Sequence, residues 1–317
     1  MKKLLILIAW LPLACFGQEQ KDYPRDTSYT VHSVYKKLHK RHPYIEIVRS
    51  ELLENVTHHK DIVYREIGER RLRLDVFYAK NETAARPTIL LIHGGGWRTG
   101  DKSLMFPLAE QLAARGYTVV VPEYRRSIEA MYPAAVHDLK TAIRWMRDKS
   151  SEYPIDTTKL AVMGCSAGGQ LSALLGTTGD LENLEGDGPY QQHSSAVHAI
   201  VDVDGVLAFI HPESEEGLMA SQWLGGSYDD PTPNWTEASA LTHAGANTPP
   251  IMFIGSGNPR FLSGRADMIN ILDKYGIYSE TRILEEAPHS FWLVHPWYET
   301  TLEIATGFLG KIFGHQE

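Results

Sequence analysis

Residues 160–169 read Leu-Ala-Val-Met-Gly-Cys-Ser-Ala-Gly-Gly. An apolar run, Leu160 to Met163, leads into a serine flanked by small residues, and a helix-compatible run, Gly169 to Leu175, follows it. A nucleophilic serine needs that setting. It sits on a sharp strand-to-helix turn, and only small neighbours leave room for the strained backbone. Such a turn lifts the Ser166 hydroxyl out of the sheet and aims the N-terminus of the next helix at developing negative charge. The pattern G-x-S-x-G alone is common, and an ordinary turn with an idle serine would show it too. Its position between strand and helix is what gives it weight. Cys165, beside the serine, reads as a residue packed beneath the turn.

Outward from this turn the chain alternates between strand and helix. Continuous apolar runs stand at Thr88 to Ile92, Thr118 to Val121, Ala199 to Val203 and Ile251 to Ile254. Short runs without strict alternation fit strands buried on both faces. Ile62 to Glu66 and Leu72 to Tyr78 read as a strand pair around Gly68. Helical spacing recurs from Leu104 to Arg115, closed by Gly116, and from Ala134 to Lys149, with Val136, Leu139, Ile143 and Met146 inward. The expectation is an α/β fold: a mostly parallel central sheet with helices on both faces. Right-handed crossovers then bring the strand ends, and the site, to one sheet edge. One connection, Gly205 to Pro250, is long and polar yet holds Trp223 and Trp235. It reads as a short insertion over the site.

A second motif, His93-Gly94-Gly95-Gly96-Trp97, directly follows the run Thr88 to Ile92. Consecutive glycines let backbone N–H groups turn toward a ligand with no side chain in the way. The amides of Gly95 or Gly96, with that of Ala167, would form an oxyanion hole, and Trp97 is a further backbone candidate. One such donor is worth about 3 kcal/mol of transition-state stabilisation.

HGGGW followed by GCSAGG resembles the α/β-hydrolase superfamily, in its esterase and lipase branch with the HGGG oxyanion loop. The resemblance runs from about Asp61 to the C-terminus and takes in Pro122 to Arg125 and the Ala134 to Arg147 helix. It implies the α/β-hydrolase fold, ester hydrolysis without a cofactor or metal, and the chain order serine, acid, histidine. On that order His289, in Ala287-Pro288-His289-Ser290, is the expected base, with His295 as fallback. The acid departs from the pattern, because Asn258 stands where the family's aspartate is expected, and an amide cannot supply the negative charge that stabilises an imidazolium. Three readings remain: Asp204 at the end of the preceding strand, which is favoured; Glu285 or Glu286 acting locally; or a serine–histidine dyad.

Arg260 and Arg265 lie near the site in any version of this fold. A guanidinium fork there would bind a substrate carboxylate, and Trp97, Trp223 and Trp292 would offer ring faces to a sugar. The expected function is a serine esterase acting on uronate methyl or acetyl esters of plant cell-wall polysaccharides such as pectin. The alternatives are a general carboxylesterase or peptidase of the same fold, or an inactive binding protein derived from it.

The whole chain agrees with a folded domain. Its 317 residues bury a large core, and a formal charge of −8 gives no general attraction to nucleic acid. Lys2, Lys3 and the run Leu4 to Leu13 read as a signal peptide over residues 1–17, too short an apolar run for a membrane span. This predicts an exported, periplasmic or secreted protein, with lipidation at Cys15 the less favoured route. Cys165 is then the sole mature cysteine, which excludes an internal disulfide. Residues 18–60 read as a solvated, histidine-bearing arm, with no cysteine or acidic cluster to suggest a metal at His32, His39 and His42. Residues 61–317 form the catalytic domain.

Overall fold

The computed structural model describes residues 23–179 and 181–314. The expected signal segment and Cys15 therefore lie outside the described residues. In chain order come α1 (Val31–Leu38), β1 (Glu46–Ile47), β2 (Val56–Ile67), β3 (Arg70–Ala79), β4 (Arg86–Ile92), α2 (Phe106–Ala114) and β5 (Thr118–Pro122). Next are α3 (Ala134–Asp148), β6 (Ile155–Cys165), α4 (Ala167–Thr177), β7 (Ala199–Val203), α5 (Leu218–Leu224) and α6 (Pro233–Glu237). The chain ends with β8 (Ile251–Gly255), α7 (Arg265–Lys274), β9 (Ser279–Ile283), β10 (Val294–His295) and α8 (Trp297–Phe313).

Eight strands form one sheet in the order β2-β3-β5-β4-β6-β7-β8-β9. The β2–β3 and β3–β5 pairs are antiparallel and all the others parallel. The apolar runs are continuous because each strand feeds two cores. Leu90, Ile92, Val120, Leu160 and Val162 pack with residues of α3 and α4 on one face. Their neighbours Ile89, Leu91, Val119, Val121, Ala161 and Met163 pack with α2 and α8 on the other. Successive side chains of a strand point to opposite faces, so a sheet covered on both sides favours apolar residues at nearly every position.

Two expectations need correction. A single helix from Leu104 to Arg115 is in fact a tight 3-10 turn, Lys102–Met105, followed by α2. Pro107 has no N–H to donate backward, so the regular helix begins around it. The arm over residues 18–60 is not a solvated appendage along its described part. Its last five residues belong to β2. Ahead of them β1 pairs with β10, and Val34, Ile45 and Val48 are buried. Val31, Val34, Tyr35 and Leu38 stand at helical spacing in this stretch, but spacing alone does not show that their stripe docks on the domain instead of facing solvent. The insertion contains α5, α6 and a 3-10 turn, Ala240–His243, with Trp223 and Trp235 fully buried.

Candidate active site

The turn after β6 holds Ser166 at φ 57° and ψ −120°, a conformation costing roughly 1–3 kcal/mol in a non-glycine residue. Backbone bonds on both sides hold it there: Ser166 N donates to Val203 O at 2.7 Å, and Gln170 N to Ser166 O at 3.0 Å. Gly164 is required by contact, since a Cβ on it would lie 2.1 Å from Gly168 O. The backbone closes on itself so tightly that only glycine fits.

His289 lies in the loop after β9. Leu284 N donates to Gly255 O at 2.8 Å, and Ala287 N to Leu284 O at 2.9 Å, which tie this loop to the end of β8. The imidazole Nε2 is 2.9 Å from Ser166 Oγ, and Nδ1 is 2.8 Å from Asp204 Oδ2. A carboxylate only accepts, so Nδ1 carries the proton and Nε2 accepts from the serine hydroxyl. Phe261 stacks on the ring at 3.8 Å and Trp292 meets it edge-on at 5.2 Å. Asp204 follows β7 directly, at φ 53°. Its N–H donates to Ile254 O at 2.9 Å, and its Oδ1 accepts from Ser256 N at 2.7 Å. The carboxylate thus reaches His289 from the strand next to the usual one.

The other acid and base candidates are elsewhere. Asn258 caps the turn Pro259–Leu262 by accepting from Arg260 N at 3.2 Å. Glu285 and Glu286 are exposed, and both nitrogens of His289 are already engaged. His295 pairs with Glu299 at 2.6 Å.

Asp202, two residues before Asp204 on the same strand, is buried, and burial pushes its pKa up to about 8. One carboxyl of the pair is held neutral while its neighbour faces the imidazole. Arg265 lies behind them. Its Nη1 is 3.1 Å from where a Cβ on Gly255 would stand, and its charge acts on Asp202 and Asp204. It lines neither cavity at Ser166. The expectation that Arg265 contacts substrate is corrected: the start of α7 turns this side chain toward the acid end of the site.

Arg260 does border the cavity, yet its fork is occupied. Nε and Nη2 bind the two oxygens of Glu216 at 2.9 and 3.0 Å. The expected carboxylate partner is therefore supplied by the insertion. The aromatic expectation is corrected as well. Trp97, Trp223 and Trp292 are 4%, 0% and 1% exposed, so none offers a broad ring face to a sugar, although Trp97 borders the small pocket at Ser166. Trp97 and Trp223 stack on each other at 5.1 Å, because large flat rings fill the space beneath the loop and the insertion.

Gly95 and Gly96 line the cavity, and Ala167 lines its inner end. Gly95 needs its freedom: φ is 127°, and a Cβ would lie 2.1 Å from Thr99 O. Its carbonyl accepts from Arg98 N and Thr99 N at 3.2 and 3.0 Å. The Trp97 indole donates to Gln170 Oε1 at 2.8 Å, and Gln170 Nε2 to Ala238 O at 2.8 Å. Gln170 thus joins the glycine loop, the start of α4 and the insertion. His93 stacks on Tyr124 at 4.5 Å, and burial pushes its pKa down to about 4, which keeps it neutral.

Sequence reasoning missed the wall supplied by the arm. The main cavity, about 440 Å³, is bounded on one side by Ser28, Tyr29, Ser33 and Lys37 and on the other by Ser166, His289 and Met219. Tyr29 fixes this wall, with its hydroxyl 2.9 Å from Ser290 Oγ and its N–H on Thr99 Oγ1 at 3.2 Å. Arg98 Nε adds a bond to Asp26 at 2.9 Å. A smaller pocket of about 50 Å³ opens from Ser166 between Gly96, Ala167, Val206, Met219 and Phe261.

A mostly parallel eight-stranded sheet, with a serine on the turn after β6 and acid and histidine on later strand ends, defines the α/β-hydrolase fold. Within that class the chain belongs to the BD-FAE family, whose model matches residues 74–260, more than half of its length. It is 29% identical over 219 residues to the probable carboxylic ester hydrolase LipM of Mycobacterium tuberculosis, covering 65% of this chain and 49% of LipM. The chain thus spans about half the length of that curated relative. Among solved structures, a truncated form of a carbohydrate esterase from gut microbiota superposes with a TM-score of 0.71 at 21% identity, covering 84% of this chain and 99% of the other. The thermophilic esterase Est2 of Thermogutta terrifontis, solved with propionate bound, gives a TM-score of 0.67 at 27% identity over 82% and 95% of the two chains.

Proposed function

We propose that the protein is a serine esterase that removes small acyl groups from a bulky, polar alcohol. The observation that carries this is the continuous line Ser166 Oγ, His289 Nε2, His289 Nδ1, Asp204 Oδ2, with steps of 2.9 and 2.8 Å. Ser166 Oγ attacks the ester carbonyl while its proton passes to His289 Nε2, and the N–H groups of Gly95 or Gly96 and of Ala167 hold the oxyanion. Collapse of the tetrahedral intermediate breaks the bond to the alkoxide, which takes the proton from His289. Water, deprotonated by the same ring, then releases the acid from the acyl-enzyme.

The two cavities support a division of the ester into its acyl and alcohol halves. The leaving oxygen must reach His289 Nε2, so the alcohol occupies the large cavity that His289 lines. The acyl group takes the pocket that lacks His289 and borders Ala167 and Gly96. About 50 Å³ is room for only a few heavy atoms, since one water needs about 10–15 Å³ on the same measure. This favours an acetyl ester of a sugar over a uronate methyl ester, whose bulky part would be the acyl side. The propionate bound to Est2 is an acid of comparable size. Ser28, Ser33, Thr99 and Lys37, set in the otherwise largely apolar wall of the large cavity, suit the hydroxyls of a glycan alcohol, in an exported setting as the signal-like segment suggests.

The test is acetate and methanol release, followed by NMR, from acetylated and methylated plant polysaccharides, with Ser166→Ala as control. Acetate without methanol is expected. Methanol alone would reverse the assignment of the cavities. A fluorophosphonate probe should label Ser166 and fail on Ser166→Ala; an unlabelled wild type would sink the serine mechanism and leave a binding protein.

A further inference from the structure

The stretch that closes α1 reads Lys36-Lys37-Leu38-His39-Lys40-Arg41-His42. A helix C-terminus attracts cations through its dipole, which accounts for Lys36 and Lys37 in the last turn. It does not account for Lys40 and Arg41, which lie past the cap at His39. The position of these cations is fixed, because buried Val34, pinned Tyr29 and the β1–β10 pairing hold the arm on both sides of them.

Lys37 and Leu38 line the large cavity at Ser166 and also a second concavity of about 290 Å³, whose remaining wall is Lys40, Arg41, His42 and Pro288. Pro288 adjoins the base, so the second concavity begins where the leaving group would exit. Among the described residues no carboxylate lines either space. Nor is any acid ion-paired with Lys37, Lys40 or Arg41, although carboxylates neutralise many other cations, as Asp138 does Arg125 and Glu216 does Arg260. In a chain of formal charge −8, a path lined by unpaired cations runs against the bulk composition.

We propose that Lys37, Lys40 and Arg41 form a subsite for the carboxylates of an acidic glycan, whose esterified residue lies at Ser166 and whose neighbouring uronates extend over the end of α1. This rests on the proposed esterase through the cavity shared with Ser166, and it names the alcohol: an acylated, uronate-bearing chain. The aliphatic stems of the lysines, with Leu38 and Pro288, give the sugar rings an apolar floor. Because the three cations are exposed, the attraction is salt-sensitive and moderate for each contact.

The test separates binding from catalysis. In a Ser166→Ala background, titration calorimetry compares hexagalacturonate with neutral maltohexaose at low and high salt. Hexagalacturonate should bind more tightly, lose affinity as salt rises, and bind at least about fivefold more weakly when Lys37, Lys40 and Arg41 are all changed to Gln. Lys40→Gln/Arg41→Gln alone, which leaves the helix intact, should give part of that loss. Equal binding of the two hexasaccharides, or an unchanged affinity in the triple variant, overturns the subsite. Sedimentation with phosphatidylglycerol vesicles but no hexagalacturonate binding also overturns it, in favour of a membrane contact. In the active enzyme, the ratio of kcat/KM for acetylated oligogalacturonate to that for p-nitrophenyl acetate should fall to the same extent. Failure of fluorophosphonate labelling would sink the esterase reading while leaving the calorimetric result standing.

Discussion

Asp204→Asn changes one oxygen for nitrogen and nothing in the shape of the site. Asparagine tolerates the left-handed backbone at this position, φ 53°, so the fold should not register the change. The chemistry should. Asp204 Oδ1 accepts from Ser256 N at 2.7 Å, and an asparagine keeps that bond only with its carbonyl oxygen on that side. Its NH₂ then faces His289 Nδ1, where Oδ2 stood 2.8 Å away. Two donors cannot share one hydrogen bond, so the ring releases its Nδ1 proton and carries it on Nε2 instead. Nε2–H now points at Ser166 Oγ and cannot take its proton. Loss of tautomer control of this kind lowers kcat by about 10³–10⁴-fold, or about 4–5.5 kcal/mol of transition-state stabilisation. The assay is kcat on p-nitrophenyl acetate, with thermal unfolding as the control for folding. A loss under about tenfold, or an equal loss in Glu285→Gln/Glu286→Gln, would refute the assignment of the acid.

Three further outcomes follow from the same geometry. Arg260→Leu leaves the buried carboxylate of Glu216 without its bidentate partner beside the small pocket and should cost about 1–3 kcal/mol by urea unfolding. Adding Glu216→Gln should recover part of that; a double variant weaker than the single would refute the pairing argument. Trp223→Ala removes a fully buried ring stacked on Trp97 and should cost about 3–5 kcal/mol, with Trp223→Phe losing distinctly less. A similar loss in both variants would count against the stacking account. Asp202 holds its proton to about pH 8 when folded but releases it near the ordinary 3.8 when unfolded. Folding therefore takes up a proton between those values, and the contribution of this group is lost as pH rises through about 8. Unfolding free energies at pH 5, 6.5 and 8 should decline less steeply in Asp202→Asn than in wild type, and parallel profiles would refute the raised value.

The sequence disclosed those parts of the molecule whose physics is local. A strand buried on both faces is mostly apolar, so β4 to β8 are legible as runs, and a strained serine turn requires Gly164, Ala167 and Gly168 around it. Side-chain direction was not legible. Tryptophan reads identically whether its face meets a sugar or another ring, and only the stacking of Trp97 on Trp223 shows that these fill space beneath the loop. Arg260 offered a fork for a carboxylate, but its partner Glu216 lies 44 residues away in an insertion with no periodic pattern. The arm's polar composition reads as solvated, and although Val31, Val34, Tyr35 and Leu38 keep helical spacing, a short amphipathic stripe does not say which surface it docks on.

That last miss bears most directly on selectivity. On the proposed mechanism, the nucleophile, histidine and glycine loop stand on strand ends fixed by the sheet and set where an ester carbonyl would be attacked. They do little to determine which ester, because the outer wall of the cavity comes from residues 28–38, outside the alternating strands and helices. The arm holds its place through a few polar contacts, Tyr29 to Ser290 and Thr99 and Arg98 to Asp26, rather than through the sheet. Each of these contacts ends on the histidine loop or just after the glycine loop. A change in the arm can therefore reshape the alcohol side of the site without disturbing the line from Ser166 to Asp204. On the proposed esterase reading, the chemistry and the choice of alcohol are carried by separable parts of the chain.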